Sequence, residues 1–221
     1  LFSIITVTVY TVTFENVEAV RILETCVAPL IPLAIPILNR IFKIRIPFAL
    51  NIALTVFAII AIDFASVLDF YAKITYLDKF LHAAFGVVGA FCVAVFLLYG
   101  NGNKMKPWCF FITVMFAVLG LAAAWEIIEY IMHALIGMDT QRWMPDMGAV
   151  GDMTVKDFFA DYNPLWDTMW DIIVAVFGVI VFYILVLIDK LCGYKVCKSV
   201  YAQVNYRAPK KEEINDDNGC V

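Results

Sequence analysis

An all-α, polytopic membrane bundle of about six transmembrane helices is the fold class this sequence predicts, and three observations predict it. Of its 221 residues, 63% are hydrophobic and only 16% charged, with a mean hydropathy of +0.84. Soluble domains run nearer half apolar and a quarter charged. The apolar residues also gather into runs approaching the roughly 20 residues that cross a bilayer, separated by short polar turns. Lipid offers the backbone no hydrogen-bond partners, so such runs must be helical or close into a barrel, and strand alternation is absent. Finally, the basic residues segregate to one side of the expected spans. The formal net charge of −4 carries no basic footprint of the kind nucleic acid requires.

Taken in order, Leu1–Phe14 is apolar, too short to span alone, and is expected to be the end of a helix begun earlier. Glu15–Glu24 places Glu15, Glu18, Arg21 and Glu24 at intervals of three, a helical polar stripe at a membrane surface or over a cavity mouth. Ile22–Leu38, interrupted by Pro29, Pro32 and Pro36, is read as a kinked second span, with a re-entrant segment as its alternative. Asn39–Arg45 then supplies a basic stop. Pro47–Leu68 is the third span, with Asp63 near its far end. Phe80–Gly100 is the fourth, in which Gly86 and Gly89 permit close helix approach. Trp108–His133 is the fifth, long enough to tilt or project. Ala134–Pro164 is an acidic loop, and Leu165–Asp189 is the sixth span. Residues 1–190 thus form one transmembrane helical domain, and 191–221 a polar, partly disordered tail.

Six spans put Arg40, Lys43, Arg45, Lys104, Lys106, Lys190 and every basic residue of the tail on one side, eleven against five on the other. The excess predicts that both termini are cytoplasmic and that the acidic loop 134–164 is external. Cys26, Cys92, Cys109, Cys192, Cys197 and Cys220 show no zinc-type pairing and read as free thiols.

The stretch A-A-A-W-E-I-I-E-Y-I-M-H, Ala122–His133, breaks the apolar pattern. Glu126 and Glu129 share one helix face there, and His133 extends the stripe. An acidic group at the middle of a spanning helix costs on the order of 2.5–3.5 kcal/mol. Two on one face call for protons, a cation or polar partners. Asp78 and His82 open the fourth span at i and i+4, with Gly86 on the same face. Asp167 and Asp171 open the sixth at the same spacing. Under the expected topology all three pairs converge on the external side.

Five carboxylates with one imidazole is the donor set of a divalent cation such as Mg²⁺, Mn²⁺, Zn²⁺ or Fe²⁺, and argues against copper or thiolate sites. The candidate metal ligands are therefore Asp78, His82, Glu126, Glu129, Asp167 and Asp171. Glu126, Glu129 and Asp171 are the candidate catalytic residues, a carboxylate not spent on metal serving as general base. The plainer alternative is that these carboxylates sit in headgroup water, paired with Lys79 or Arg142, and that Asp167 complements a helix N-terminus. His133 reads as an interfacial histidine, Asp63 and Asp69 as solvated helix ends, and Trp108, Trp125, Trp143, Trp166 and Trp170 as interface anchors.

Y-L-D-K-F-L-H-A-A-F-G, A-W-E-I-I-E-Y and L-W-D-T-M-W-D-I resemble three signatures of the YjdF-like family of bacterial inner-membrane proteins. More distantly, D-K-x-x-H is similar to the VanZ-like group associated with glycopeptide resistance. The resemblance covers roughly Ile22–Asp189. It implies a six-helix fold in the bacterial cytoplasmic membrane, with Asp78, His82, Glu126, Glu129, Asp167 and Asp171 as the polar signature. It implies no reaction. His133 lies outside the pattern, and the loop between Met138 and Asn163 is longer than the connection the resemblance implies.

Three function classes follow. The first is a metal-dependent hydrolase or transferase acting on a lipid or lipid-linked envelope substrate. The second is a proton- or cation-coupled transporter, against which stand the lack of an inverted repeat and the position of the acids toward one face. The third is a non-catalytic membrane subunit or resistance factor, with the cluster as glue between helices and loop 134–164 docking a membrane-protein partner.

Overall fold

The computed structural model describes residues 2–13, 22, 25–27, 29–42, 44–74, 76–100, 102–136 and 164–204. They are helical apart from short connections: α1 (Phe2–Thr13), α2 (Leu30–Phe42), α3 (Phe48–Ala58, continuing as a π-helix over Ile59–Val67), α4 (Leu77–Tyr99), α5 (Pro107–Ile136), α6 (Pro164–Leu191) and α7 (Lys195–Val204), with single turns at Phe70–Lys73 and Gly102–Lys104. Four of these helices are long and apolar enough to cross a membrane: Phe48–Val67, Leu77–Tyr99, Pro107–Met132 and Leu165–Leu191. They match the third to sixth expected spans with small shifts at their ends. The segments read as the first two spans hold α1 and α2, with 12 and 13 residues described as continuous helix. Ile22 and residues 25–27, ahead of α2, are helical as well. Helix α2 keeps Pro36 in its interior and runs into the segment read as a basic stop. The polar stripe Glu15–Glu24, the loop residues 137–163 and the tail beyond Val204, with the expectations placed on them, lie outside the described residues.

Most large apolar side chains point outward, among them Phe96, Phe116, Ile127 and Leu185, as in a bundle whose solvent is lipid. Helices therefore meet through small side chains and backbone rather than a thick aliphatic core. The tightest pair is α4 with α6, and α5 packs on both. Gly86 and Gly178 face one another at the α4–α6 crossing. A Cβ built on Gly178 would lie 2.8 Å from the Gly86 Cα and closer still to the Ala83 carbonyl oxygen. Gly89 has only ordinary contact with Val118, at 3.7–3.8 Å. The glycine expectation thus holds for Gly86, while its true counterpart is Gly178. Below the crossing Ala90, Val114, Val118 and Val179 are fully enclosed.

At the opposite end from the acidic residues, the start of α3, the end of α4 and α7 gather. The Arg45 amide donates to the Tyr99 hydroxyl at 2.6 Å, the Phe48 amide to Gln203 Oε1 at 2.9 Å, and Asn103 Nδ2 to the Tyr201 hydroxyl at 3.2 Å. Helix α7 seats Val200 and Val204 against Leu50 and Val95. Its first turn is capped by Asp189, whose carboxylate accepts from the Val196 and Cys197 amides, both at 2.9 Å. Burial and the neighbouring Asp189 carboxylate push the Cys197 thiol up to about 11, which marks it as a protonated, unreactive thiol. Asp189→Ala removes that cap and is expected to raise tryptic cleavage at Lys195 and Lys198 roughly fivefold, the population shift of one lost cap. Unchanged cleavage kinetics would show that α7 is held by packing alone.

Asp63 departs from expectation. Read as a solvated helix end, it is fully buried, and neither carboxylate oxygen has a hydrogen-bond partner among the described residues. The cause is local. The chain widens to i→i+5 bonding before Leu68, whose amide donates to the Asp63 carbonyl at 3.1 Å. This π-turn rotates Asp63 off the register an α-helix would give it. Asp69, by contrast, takes a left-handed conformation at φ 54° and ends the span.

Candidate metal centre

The site is built where the first turns of α4 and α6 meet the side of α5. Asp78 lies in the first turn of α4, one helical turn before His82, so both side chains project from one face. Gly86 and its crossing partner Gly178 continue those faces one and two turns deeper. The glycine contact therefore sets how near α6 can bring Asp171 to His82. Asp167 and Asp171 occupy the first two turns of α6, and Glu126 comes from α5, one turn beyond buried Ala122.

Five of the six predicted residues are brought together. His82 Nε2 lies 3.7 Å from Asp78 Oδ1 and 3.9 Å from Asp171 Oδ1, while Nδ1 lies 3.8 Å from Glu126 Oε1. Ligand atoms of Asp78, His82 and Asp171 all fall within 4.8 Å of one another. Asp167 joins through Lys79. The ammonium of Lys79 contacts Asp78 Oδ2 at 3.0 Å and the two Asp171 oxygens at 2.8 and 2.9 Å, and pairs with Asp167 Oδ1. Glu129 has a hydrogen-bond partner on its own helix. Its carboxylate accepts from the Trp125 indole at 2.7 Å, one turn further along α5. The side chain of His133 lies outside the described residues.

Burial is graded. Side chains of Asp78, Lys79 and Asp167 are 22–28% exposed, whereas those of His82, Glu126 and Asp171 are 1–9% exposed. The first three form a mouth open to water and the second three a floor. No well-formed hydrogen bond reaches either Glu126 oxygen among the described residues. Its neighbours are Thr168 and the imidazole. Trp166 and Trp170 pack edge to face at 5.6 Å beside the mouth.

The donor types are those a divalent ion takes. Ligands held at about 2.0–2.2 Å from a common ion stand roughly 3–3.6 Å apart. The His82–Asp78 and His82–Asp171 separations exceed that by a few tenths of an ångström. A ligating histidine also needs its second nitrogen directed at a carboxylate or carbonyl, and Glu126 is placed there. Counting charges points the same way. Asp78, Glu126, Asp167 and Asp171 outnumber Lys79 and His82, and buried carboxylates require protons or a counter-cation.

Sequence reasoning anticipated Lys79 only as a pairing partner in the plainer alternative. Its central place was discoverable. A lysine one residue after Asp78 has a stem long enough to swing across the helix face, reaching an acid its Cβ does not point toward. Thr168 carried no such signal.

No curated protein and no solved structure significantly matches the chain. Residues 1–190 do match a family described as "Predicted membrane protein (DUF2238)". Four helices of membrane-crossing length among the described residues, with a carboxylate–histidine cluster between three of them, thus accompany a match over most of the sequence, and the chain belongs to that family of membrane proteins.

Proposed function

We propose that the protein is a divalent-metal-dependent hydrolase or transferase acting on an ester or phosphoester of a lipid or lipid-linked substrate. The observation that carries the reading is the orientation of His82, with Nε2 facing Asp78 and Asp171 and Nδ1 facing Glu126. In this reading Asp78, His82 and Asp171 hold the ion, and Glu126 fixes the imidazole tautomer. The ion supplies an acidic water and a Lewis acid toward the scissile bond. Asp167, at the wet mouth, would accept the proton of the attacking water once Lys79 releases it, and the leaving oxygen would take a proton from water at the mouth. A site at one end of the spans, flanked by exposed Trp166 and Trp170, suits a headgroup-level bond. The YjdF-like and VanZ-like resemblance agrees with a bacterial envelope setting.

Detergent-purified protein is expected to bind about one Mn²⁺ or Zn²⁺ per chain, removable by chelator. His82→Ala and Asp171→Asn should each weaken binding by about 100-fold or more, and Glu126→Gln by about 10- to 100-fold. In proteoliposomes, metal-dependent release of phosphate from a phosphomonoester lipid should fall in the same order. Folded protein that takes up no divalent metal at any of these steps refutes the proposal.

A second reading has one observation in its favour. Lys79 ties α4 to α6 through Asp78, Asp167 and Asp171, so the cluster would serve as structural glue in a non-catalytic subunit.

A further inference from the structure

Resting on the metal reading above, we infer that Lys79 is a tethered counter-cation. It neutralises the site while no divalent ion is present and withdraws when one binds. Both carboxylates that face His82 Nε2 are engaged by this ammonium: Asp78 through Oδ2 at 3.0 Å, Asp171 through both oxygens at 2.8 and 2.9 Å. Asp167 completes the ring of three. Two helices thus direct three carboxylates at one cation, and that cation is part of the chain.

A divalent ion bound to Asp78, His82 and Asp171 would stand within a few ångströms of this ammonium, among the same oxygens. Two like charges at that range in a half-buried site repel strongly. The ion and Lys79 Nζ therefore exclude one another. Lysine is suited to yielding. Its charge sits at the end of four methylenes and makes no fixed bidentate fork, so it leaves by stem rotation alone. Lys79 lies in the first turn of α4 and is more than a quarter exposed, so its path out leads directly to water at the mouth.

Below the mouth, Glu126 is 4% exposed, has no well-formed hydrogen bond among the described residues, and is directed at His82 Nδ1. Lys79 compensates the three aspartates and leaves this deeper carboxylate unsatisfied. The exchange is consequently selective. A monovalent ion brings no more charge than the ammonium it displaces, whereas a divalent ion adds the charge that Glu126 and His82 can share. Lys79 lowers metal affinity in general while favouring divalent over monovalent ions, and it keeps the metal-free bundle from collapsing under its own negative charge.

The test uses the full chain in detergent with Mn²⁺ as the probe. Two measurements are made: Mn²⁺ titration of the wild type, Lys79→Gln and Asp171→Asn, and amine acylation of the wild type with and without Mn²⁺, read by mass spectrometry. Lys79→Gln should bind Mn²⁺ at least tenfold more tightly than the wild type, and Asp171→Asn should lose binding. Acylation of Lys79 should rise at least fivefold at saturating Mn²⁺ and stay unchanged in excess Na⁺, with Lys104 and Lys106 constant throughout. Mn²⁺ binding to the wild type with no gain in Lys79→Gln, or with Lys79 acylation unmoved, overturns the inference while sparing the metal reading. Binding that survives in Asp171→Asn places the ion elsewhere and also overturns it. Absence of Mn²⁺ from both wild type and Lys79→Gln removes the metal reading itself. Should Lys79→Gln fail to fold, acylation of the wild type decides alone.

Discussion

Gly178→Val is expected to destabilise the bundle by about 3–5 kcal/mol, at the upper end of single substitutions. The Cβ it introduces is not a flexible side-chain end that can rotate away. It is fixed to the backbone and directed at the Ala83 carbonyl and the Gly86 Cα, the latter 2.8 Å distant. Only separation of α4 from α6 relieves the overlap. That separation opens the pair with the most intimate packing in the fold and draws Asp171 away from Lys79 and His82, so stability and metal binding should fall together. Gly89→Ala is the matched control. Its new methyl meets Val118 at ordinary contact distance, and alanine favours helix, so a change within about 0.5 kcal/mol or a slight gain is expected. Thermal unfolding in detergent, followed by tryptophan fluorescence, reads both. Equal midpoints for Gly178→Val and wild type would mean that the α4–α6 crossing does not hold the fold together.

How much of this was legible beforehand follows from what each feature depends on. The four long spans were readable because a bilayer demands continuous apolar helix, and their composition admits nothing else. The Asp78–His82 and Asp167–Asp171 pairs were readable because spacing of four fixes a shared face whatever the neighbouring helices do. Gly86 was readable on the same stripe. Gly178 was not, since nothing in L-W-D-T-M-W-D-I-I-V-A-V-F-G says which of several faces meets α4. Asp63 escaped because its burial depends on a π-turn, a local change of register that apolar periodicity does not signal. Glu129 was grouped with Glu126 by spacing of three, yet Trp125 on the preceding turn offers it an indole donor at 2.7 Å. This i,i+4 hydrogen bond within α5 is a contact that the spacing of the two glutamates does not reveal.

Lys79→Met should be the most informative charge change in the molecule. In chelator it is expected to destabilise the protein by about 2–3 kcal/mol. Breaking a fully buried pair costs about 3–5 kcal/mol, and Lys79, at 28% exposure, retains part of its hydration. What remains is three facing carboxylates, one of them Asp171 at 1% exposure. The loss should therefore be largely recovered in the double variant Lys79→Met/Asp171→Asn, with a coupling energy of about 1–3 kcal/mol from the completed cycle. Strict additivity would mean that the ammonium and Asp171 do not stabilise one another. Glu126→Leu should behave oppositely and be neutral or stabilising, because it removes a buried carboxylate with no well-formed hydrogen bond to lose. Adding Mn²⁺ then separates the two functional readings within the same variants. If the cluster is glue, Lys79→Met stays unstable whatever ion is supplied, because the missing piece is an ammonium bridging α4 to α6. If the aspartates are ligands, the ion replaces the lost charge at the same oxygens, and Lys79→Met regains wild-type stability only while Asp78, His82 and Asp171 are intact.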